Sequence, residues 1–297
     1  MSAVADRPAK AARPPQPSKA RTTVGMLLVA VVVIFAVSQI DARWERLPEL
    51  VTVLPRYVGL MLEGIIQNPF TEPASRYWSS AIDYTLESLQ MAWIGTLIGA
   101  VISFPISFLA ARNTAPLAVV LVVRQILNAI RAVPELILAI ALMMPIFGFG
   151  PLAGALALGV GAVGTLGKLS SEAIEGIDPG PVEAATAVGA SKLQVLRWGV
   201  LPQALPEMVA FWLYRFEINI RASAILGVLG AGGVGAILKQ LFDKREWERI
   251  GVTLLVIIVV TIIIDQISAA VRHRIISGAG GRSRRQERRT ETEGLMA

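Results

Sequence analysis

From 215 to 223 every second position is polar, Arg215, Glu217, Asn219, Arg221 and Ser223, within a stretch otherwise apolar enough for a bilayer. A charge near mid-bilayer costs on the order of 2.5–3.5 kcal/mol on insertion scales, so such residues face a cavity or a partner. Strict alternation suits a strand. A lone strand in lipid leaves its edges unpaired, however, and a helix is expected instead. On a helix Arg215, Asn219 and Ser223 form one polar stripe, and Glu217 and Arg221 form an i,i+4 pair on another face. Two further cations stand in apolar surroundings, Lys168 and Arg131, the latter four residues before Glu135. These groups recognise or neutralise charge. No catalytic acid–base or metal constellation accompanies them. There is no cysteine, and the one histidine, His273, sits between Arg272 and Arg274 in a basic tail. Thiol catalysis, Fe–S clusters and disulfides are thereby excluded, and a zinc or haem site is disfavoured.

The elements that carry these residues follow from hydropathy. The 297 residues are 54% hydrophobic and 17% charged, with a mean hydropathy of +0.59, which indicates a polytopic, all-α membrane protein. Apolar runs at 24–40, 82–110, 117–148, 152–174, 207–228 and 250–271 give six spans. The first rises roughly 26 Å as a helix, marginally enough to cross. Gly95 and Gly99 mark a face open to close helix packing. The third run is expected to be one helix kinked at Pro134, and 230–249 a glycine-rich outer segment. Residues 41–81 resemble an amphipathic interfacial segment, with apolar side chains at helical spacing and Pro55 as a kink. Both ends are basic. Residues 1–23 and 273–297 are expected to be disordered, and the net charge of +6 concentrated there is expected to place both on the cytoplasmic side of the membrane. No aromatic residues interleave with these cations, so nucleic acid is not an expected partner.

The segment 177–205 is polar and helix-prone between two spans. Asp178-Pro179-Gly180-Pro181 stops one helix and supplies a proline to start the next. Gly189 permits a backbone turn, and Ser191 with Gln194 reads as a capping box. Pro202 and Pro206 are expected to break the chain before the fifth span. The product is a short cytoplasmic helix–turn–helix. Small residues at 184, 185 and 187 admit another surface closely, and Glu183 can pair with a partner's arginine.

Glu183-Ala184-Ala185, Gly189 after three residues, and Leu201-Pro202 resemble the EAA loop of type I ABC-importer permeases. Gly199 stands where the family pattern has isoleucine. Arg131-Ala-Val-Pro-Glu135, the run Gly167–Pro181, Tyr214–Arg221 and Gly230–Gly235 are similar to the phosphonate, phosphite and phosphate transport permeases, over about 80–272. The resemblance implies a permease subunit in the lipid bilayer, paired with a second copy or a paralogue. An ABC ATPase dimer would hold ATP and Mg, and an extracytoplasmic substrate-binding protein would deliver the cargo. Glu183, Ala184, Ala185, Gly189, Ser191, Leu201 and Pro202 would couple to the ATPase. For an oxyanion cargo, Arg131, Lys168, Arg215, Glu217, Asn219, Arg221 and Ser223 become candidates for the path. The alternative leaves Glu217–Arg221 and Arg131–Glu135 as structural ion pairs. Gly230, Gly232, Gly233 and Gly235 satisfy the dinucleotide pattern GxGxxG, but no βαβ unit surrounds them, and an outer gate is the better expectation. No GxxxxGK[ST] loop occurs, so this chain is expected to bind no cofactor of its own and to be no enzyme. Permeation of another small solute, such as an amino acid or an organosulfur anion, or an uncoupled channel or scaffold, stays open.

Overall fold

The computed structural model describes residues 19–40, 44–67 and 69–294, with side chains as far as 275. Most of the basic segment 1–23 therefore lies outside the described residues. The chain divides into two units, 1–55 and 56–297. In the first, α1 (Lys19–Gln39) is an apolar helix whose side chains are exposed. A single 3-10 turn, Trp44–Arg46, precedes α2 (Leu50–Ile66), which contains Pro55 and continues into the second unit.

The second unit goes on with α3 (Ala74–Ala110), α4 (Leu117–Ala132), α5 (Glu135–Phe147) and α6 (Pro151–Glu175). Then come α7 (Pro179–Ala187), α8 (Lys192–Ala231), α9 (Gly233–Lys244) and α10 (Trp247–Gly294). Among the described residues none forms a strand. Among the described residues four helices are long and apolar enough to cross a membrane, and counting each of the bent pairs α4–α5 and α8–α9 as one span brings the number to six. Bundle and span number match the sequence reading.

Small residues set the core. A Cβ on Gly99 would come within 2.3 Å of Ala162 Cβ, and one on Gly95 within 2.7 Å of Leu158 Cβ, so α3 and α6 meet backbone to backbone. This is the close packing that a small-xxx-small face allows in lipid. On the opposite side of α6, Gly161, Gly164 and Gly167 lie under Glu135, Arg131 and Leu127 of α5 and α4. The 56–66 part of α2 packs against α10, where a Cβ on Gly64 would meet Glu248 O at 2.2 Å and one on Gly251 would meet Met61 O at 2.1 Å.

Several expectations need correction. The second span begins at Ala74, so residues assigned to the interfacial segment are the first turns of α3. The third span is two helices at 83°, because Pro134 forces Val133 into extended geometry (φ −93°, ψ 117°) and ends α4 there. Pro202 and Pro206 do not break α8. A wide π turn at Leu196–Val200 leads into its long segment Leu201–Leu226, Pro202 falls in that segment's first turn, where a missing N–H costs little, and Pro206 lies inside it. Most of 230–249 is the packed helix α9, with Gly233, Val234, Gly235, Ile237 and Leu241 buried. Gly230, Gly232 and Gly233 have φ of 107°, 84° and 64°, and this left-handed run turns the chain by 58° between α8 and α9. Val234 N–H then donates to Ser88 Oγ at 2.9 Å, capping α9 from α3. At the other end, the tail read as disordered from 273 continues α10 as far as Gly294.

Candidate functional site

Two sets of residues qualify as a site, one exposed and one buried. The exposed set is the turn between α6 and α8. Asp178 caps α7, its Oδ1 accepting Gly180 N–H at 2.9 Å. None of the helix is buried. Its C-terminus is closed by Gly189 N–H to Thr186 O at 3.0 Å and Ala190 N–H to Ala185 O at 3.1 Å, the bond pattern of a Schellman motif. Gly189 has φ 78°, yet a Cβ there would touch nothing within 4 Å. Glycine is required at this position for backbone angle, not for space. Gln194 Oε1 accepts Ser191 N–H at 2.7 Å, the return half of the capping box.

Sequence reasoning missed the residue that holds this turn in place. The Gln203 amide accepts Asp178 N–H at 3.1 Å and donates to Asp178 O at 3.2 Å and to Gly199 O at 2.6 Å. One side chain thus pins the N-cap of α7 to the first turns of α8. The signal lay in the glutamine directly after Leu201-Pro202, but its partner is 25 residues away. Gly199 completes the joint, since a Cβ there would stand 3.3 Å from Val182 Cα. Its departure from the family pattern therefore admits α7 closely, beyond deleting an apolar contact. Beneath, Val182 and Leu196 pack on buried Ile174, Val200 and Met208. Above, Glu183 and Ala184 are exposed, as are Val188, Leu193 and Trp198 at 84%, 76% and 69%. Leu201 is half-buried and Pro202 exposed. The face is apolar with one carboxylate beside it.

The buried set lies on α8. Arg215, Asn219 and Ser223 are buried along one stripe, and Glu217 is buried on another face. The stripes are those expected, but the ion pairs are not. Glu217 does not pair with Arg221; its Oε1 is 2.9 Å from Arg272 Nη2 of α10. Arg221 instead meets Asp265 Oδ2 at 3.3 Å, and half of its side chain is exposed. Glu135 does not pair with Arg131 but accepts from Arg215 Nη2. An i,i+4 pair competes with any cross-helix partner that saves a second buried charge from isolation, and the cross-helix partner wins here. Asn219 Nδ2 donates to Thr96 Oγ1 of α3 at 2.9 Å, and Ser223 Oγ donates to Ile220 O at 2.8 Å. Arg215 Nε and Asn219 Oδ1 are buried without a partner. Arg131 is exposed, its stem crossing Gly164, and Lys168 pairs with Glu172 at 3.2 Å. Of the seven path candidates, then, Arg215, Asn219 and Ser223 share one stripe facing α3, α5 and α6. Glu217 and Arg221 face α10. Among the described residues no group of three or more His, Asp or Glu could hold a metal.

A further polar node ties the start of this turn. Glu175, the last residue of α6, contacts Arg124 of α4 at 2.6 Å and accepts Arg112 N–H at 2.6 Å, while Asn113 Nδ2 donates to Ile174 O at 2.6 Å. The end of α6, from which the exposed turn hangs, is thereby fixed to the connection between α3 and α4.

Comparison with known proteins places this arrangement. Residues 103–277 match the binding-protein-dependent transport system inner membrane component family. The phosphite transport system permease protein PtxC of Stutzerimonas stutzeri is 39% identical over 243 residues, covering 82% of this chain and 87% of that protein. The phosphate-import permease protein PhnE of Mycolicibacterium smegmatis is 40% identical over 191 residues, 64% of this chain and 36% of that longer protein. Among solved structures, an inward-facing MetNI methionine ABC transporter superposes with a TM-score of 0.61 at 24% identity, over 69% of this chain and 99% of that one, a likeness of fold. A bent-helix bundle with an exposed, glutamine-pinned turn and a match over most of its core thus belongs to the binding-protein-dependent transport system inner membrane component family.

Proposed function

We propose that this chain is the membrane-spanning subunit of an ATP-driven importer that carries phosphite, phosphonate or phosphate into the cytoplasm. The observation that supports the cargo class is the 39% identity over nearly the full length of a phosphite permease. A separate ATPase dimer supplies the energy, an extracytoplasmic binding protein delivers the oxyanion, and a second copy or paralogue completes the pathway. Both termini lie in the cytoplasm, where their arginines and lysines satisfy the positive-inside rule.

The exposed turn fits the role of coupling element. α7 offers Glu183, Ala184 and Ala185 with no large side chain between its backbone and an approaching surface. Val188, Leu193 and Trp198 give the apolar contact. ATP binding closes the ATPase dimer, and a docked α7 moves with it. Because Gln203 links Asp178 to Gly199, that motion passes into α8, and α8 carries Arg215, Glu217, Asn219 and Arg221. The nucleotide state thereby biases a two-state bundle between inward-open and outward-open forms. Gly230–Gly235, which turn the chain at the far end of the same helix, serve as the outer gate.

The test is reconstitution of the chain with its ATPase and binding protein in proteoliposomes. ATP-dependent uptake of phosphite, methylphosphonate or phosphate, unaffected by excess methionine, is expected. Uptake of methionine with none of the three oxyanions, or flux without ATP, overturns the reading.

A further inference from the structure

We infer that the buried Arg215 guanidinium is an oxyanion-binding site for the cargo, and that the Glu135 carboxylate occupies it when no cargo is present. The inference rests on the transport reading above and adds the place within the bundle where the cargo meets this chain.

Arg215 is only 6% exposed, in surroundings where an unpaired charge is costly, so the site must always hold an anion. Its Nη2–H donates to Glu135 Oε1, while its Nε–H has no partner. A guanidinium presents Nε–H and Nη–H side by side to two oxygens of one anion. Glu135 uses only part of that fork. A phosphorus oxyanion, with two or more oxygens on one centre, takes both donors and replaces the carboxylate without leaving a charge alone.

Glu135 is also built to leave. It is the first residue of α5, directly after the break at Pro134 where the chain turns by 83°. Its side chain is 33% exposed, which gives it a way out and the cargo a way in. It crosses α6 at Gly161, where a Cβ would stand 2.6 Å from Glu135 Cγ, so the crossing exists only because that residue has no side chain.

One turn further along the same stripe, Asn219 Oδ1 is a second unpartnered buried atom. An amide oxygen accepts, and does not donate. Near neutral pH hydrogen phosphate carries a P–OH to donate to it, whereas sulfate carries none. Arg215 and Asn219 together thus fit a protonated phosphorus oxyanion over sulfate.

The test uses the full transporter complex in nanodiscs, without binding protein, and radiolabelled inorganic phosphate as the probe. Replacing Glu135 by Gln removes the competitor and should tighten phosphate binding by at least about tenfold, a factor of ten being about 1.4 kcal/mol. Glu135→Asp, with shorter reach, should tighten it less and guards against a variant that fails to assemble. Arg215→Gln should abolish binding in either background, sulfate should compete poorly, and Glu72→Gln, at an exposed carboxylate paired with Arg76 outside the stripe, should change nothing. Unchanged or weaker phosphate binding in both Glu135 variants overturns the inference and leaves Arg215–Glu135 a structural pair. A similar gain from Glu72→Gln overturns it too, since bulk charge would then be the cause. Oxyanion uptake by the wild-type complex separates the outcomes. Uptake present with Glu135 variants unchanged rejects this site alone, and uptake absent rejects the transport reading beneath it.

Discussion

The exposed turn and the buried polar stripe are both joined to α8, yet they are held by opposite means. α7 has no buried residue, and its bonds run from backbone to backbone or from a side chain to backbone: Asp178 to Gly180, Gly189 to Thr186, Gln203 to Asp178. The buried groups of α8 are held by side chains reaching other helices: Arg215 to Glu135 and Asn219 to Thr96 along the stripe, and Glu217 to Arg272 on the next face. A knob fixed through its backbone keeps its shape while its outer side chains remain free to meet a partner. A stripe fixed through side chains can, in the function proposed above, exchange those partners for cargo while the backbone stays helical. Damage to the first should therefore cut coupling and spare the fold, and damage to the second should cost stability as well.

The strongest challenge to that contrast is Gly189→Pro. Proline cannot adopt φ 78° and removes the N–H that reaches Thr186 O. Uptake should be lost altogether while the complex assembles, its melting temperature stays near wild type, and loaded binding protein still docks. A collapse in assembly would make the turn part of the core and erase the contrast. Next in size is Arg272→Leu, which leaves Glu217 buried opposite no charge. Removing one partner of a buried pair costs about 3–5 kcal/mol, so thermal stability should fall sharply. Adding Glu217→Leu should restore most of it, and a double variant as unstable as the single one would show that the pair does not matter.

A smaller effect is expected at the joint itself. Gln203→Ala deletes three hydrogen bonds, each worth about 1 kcal/mol net, at a partly exposed site. The knob should stay helical but loosen on α8. ATP hydrolysis by the complex should persist, with uptake per ATP falling several-fold. Gln203→Glu should be worse than Ala, because a carboxylate would face Asp178 O and Gly199 O without a donor. An unchanged transport-to-hydrolysis ratio in both variants would remove the clamp from the coupling path.

The contrast also explains what the sequence disclosed. The turn was legible because its determinants are local. Pro179, Pro181, Gly189 and Ser191 with Gln194 each act within a few residues. So was the bundle, through its long apolar runs and Gly95 and Gly99. The stripe's faces were legible from the 3.6 period, but its partners were not. Glu135, Thr96, Asp265 and Arg272 lie between 44 and 123 residues from their contacts on α8, and nothing local ranks them above an i,i+4 neighbour. The same limit hid Gln203. Proline was over-read at 202 and 206, where a preceding π turn and a first-turn position absorb it, and under-read at 134, where no such relief exists.

The smallest effect tests whether burial, and not merely charge, sets the contrast. Arg221 and Asp265 form an ion pair at 3.3 Å between α8 and α10, as Glu217 and Arg272 do, but the side chains are 58% and 39% exposed. Exposed pairs are worth about 0–1 kcal/mol, and polar contacts between membrane helices average about 0.6 kcal/mol. Arg221→Gln with Asp265→Asn should therefore shift stability by less than about 1 kcal/mol, with a coupling energy near zero in the double-mutant cycle. Asp265 Oδ1, which is buried without a partner, sets the upper limit, because an amide there relieves as much as it removes. A coupling energy as large as that of Glu217 with Arg272 would mean that the open side of α8 is sealed by a neighbouring subunit, and the exposed pair would then belong with the buried stripe.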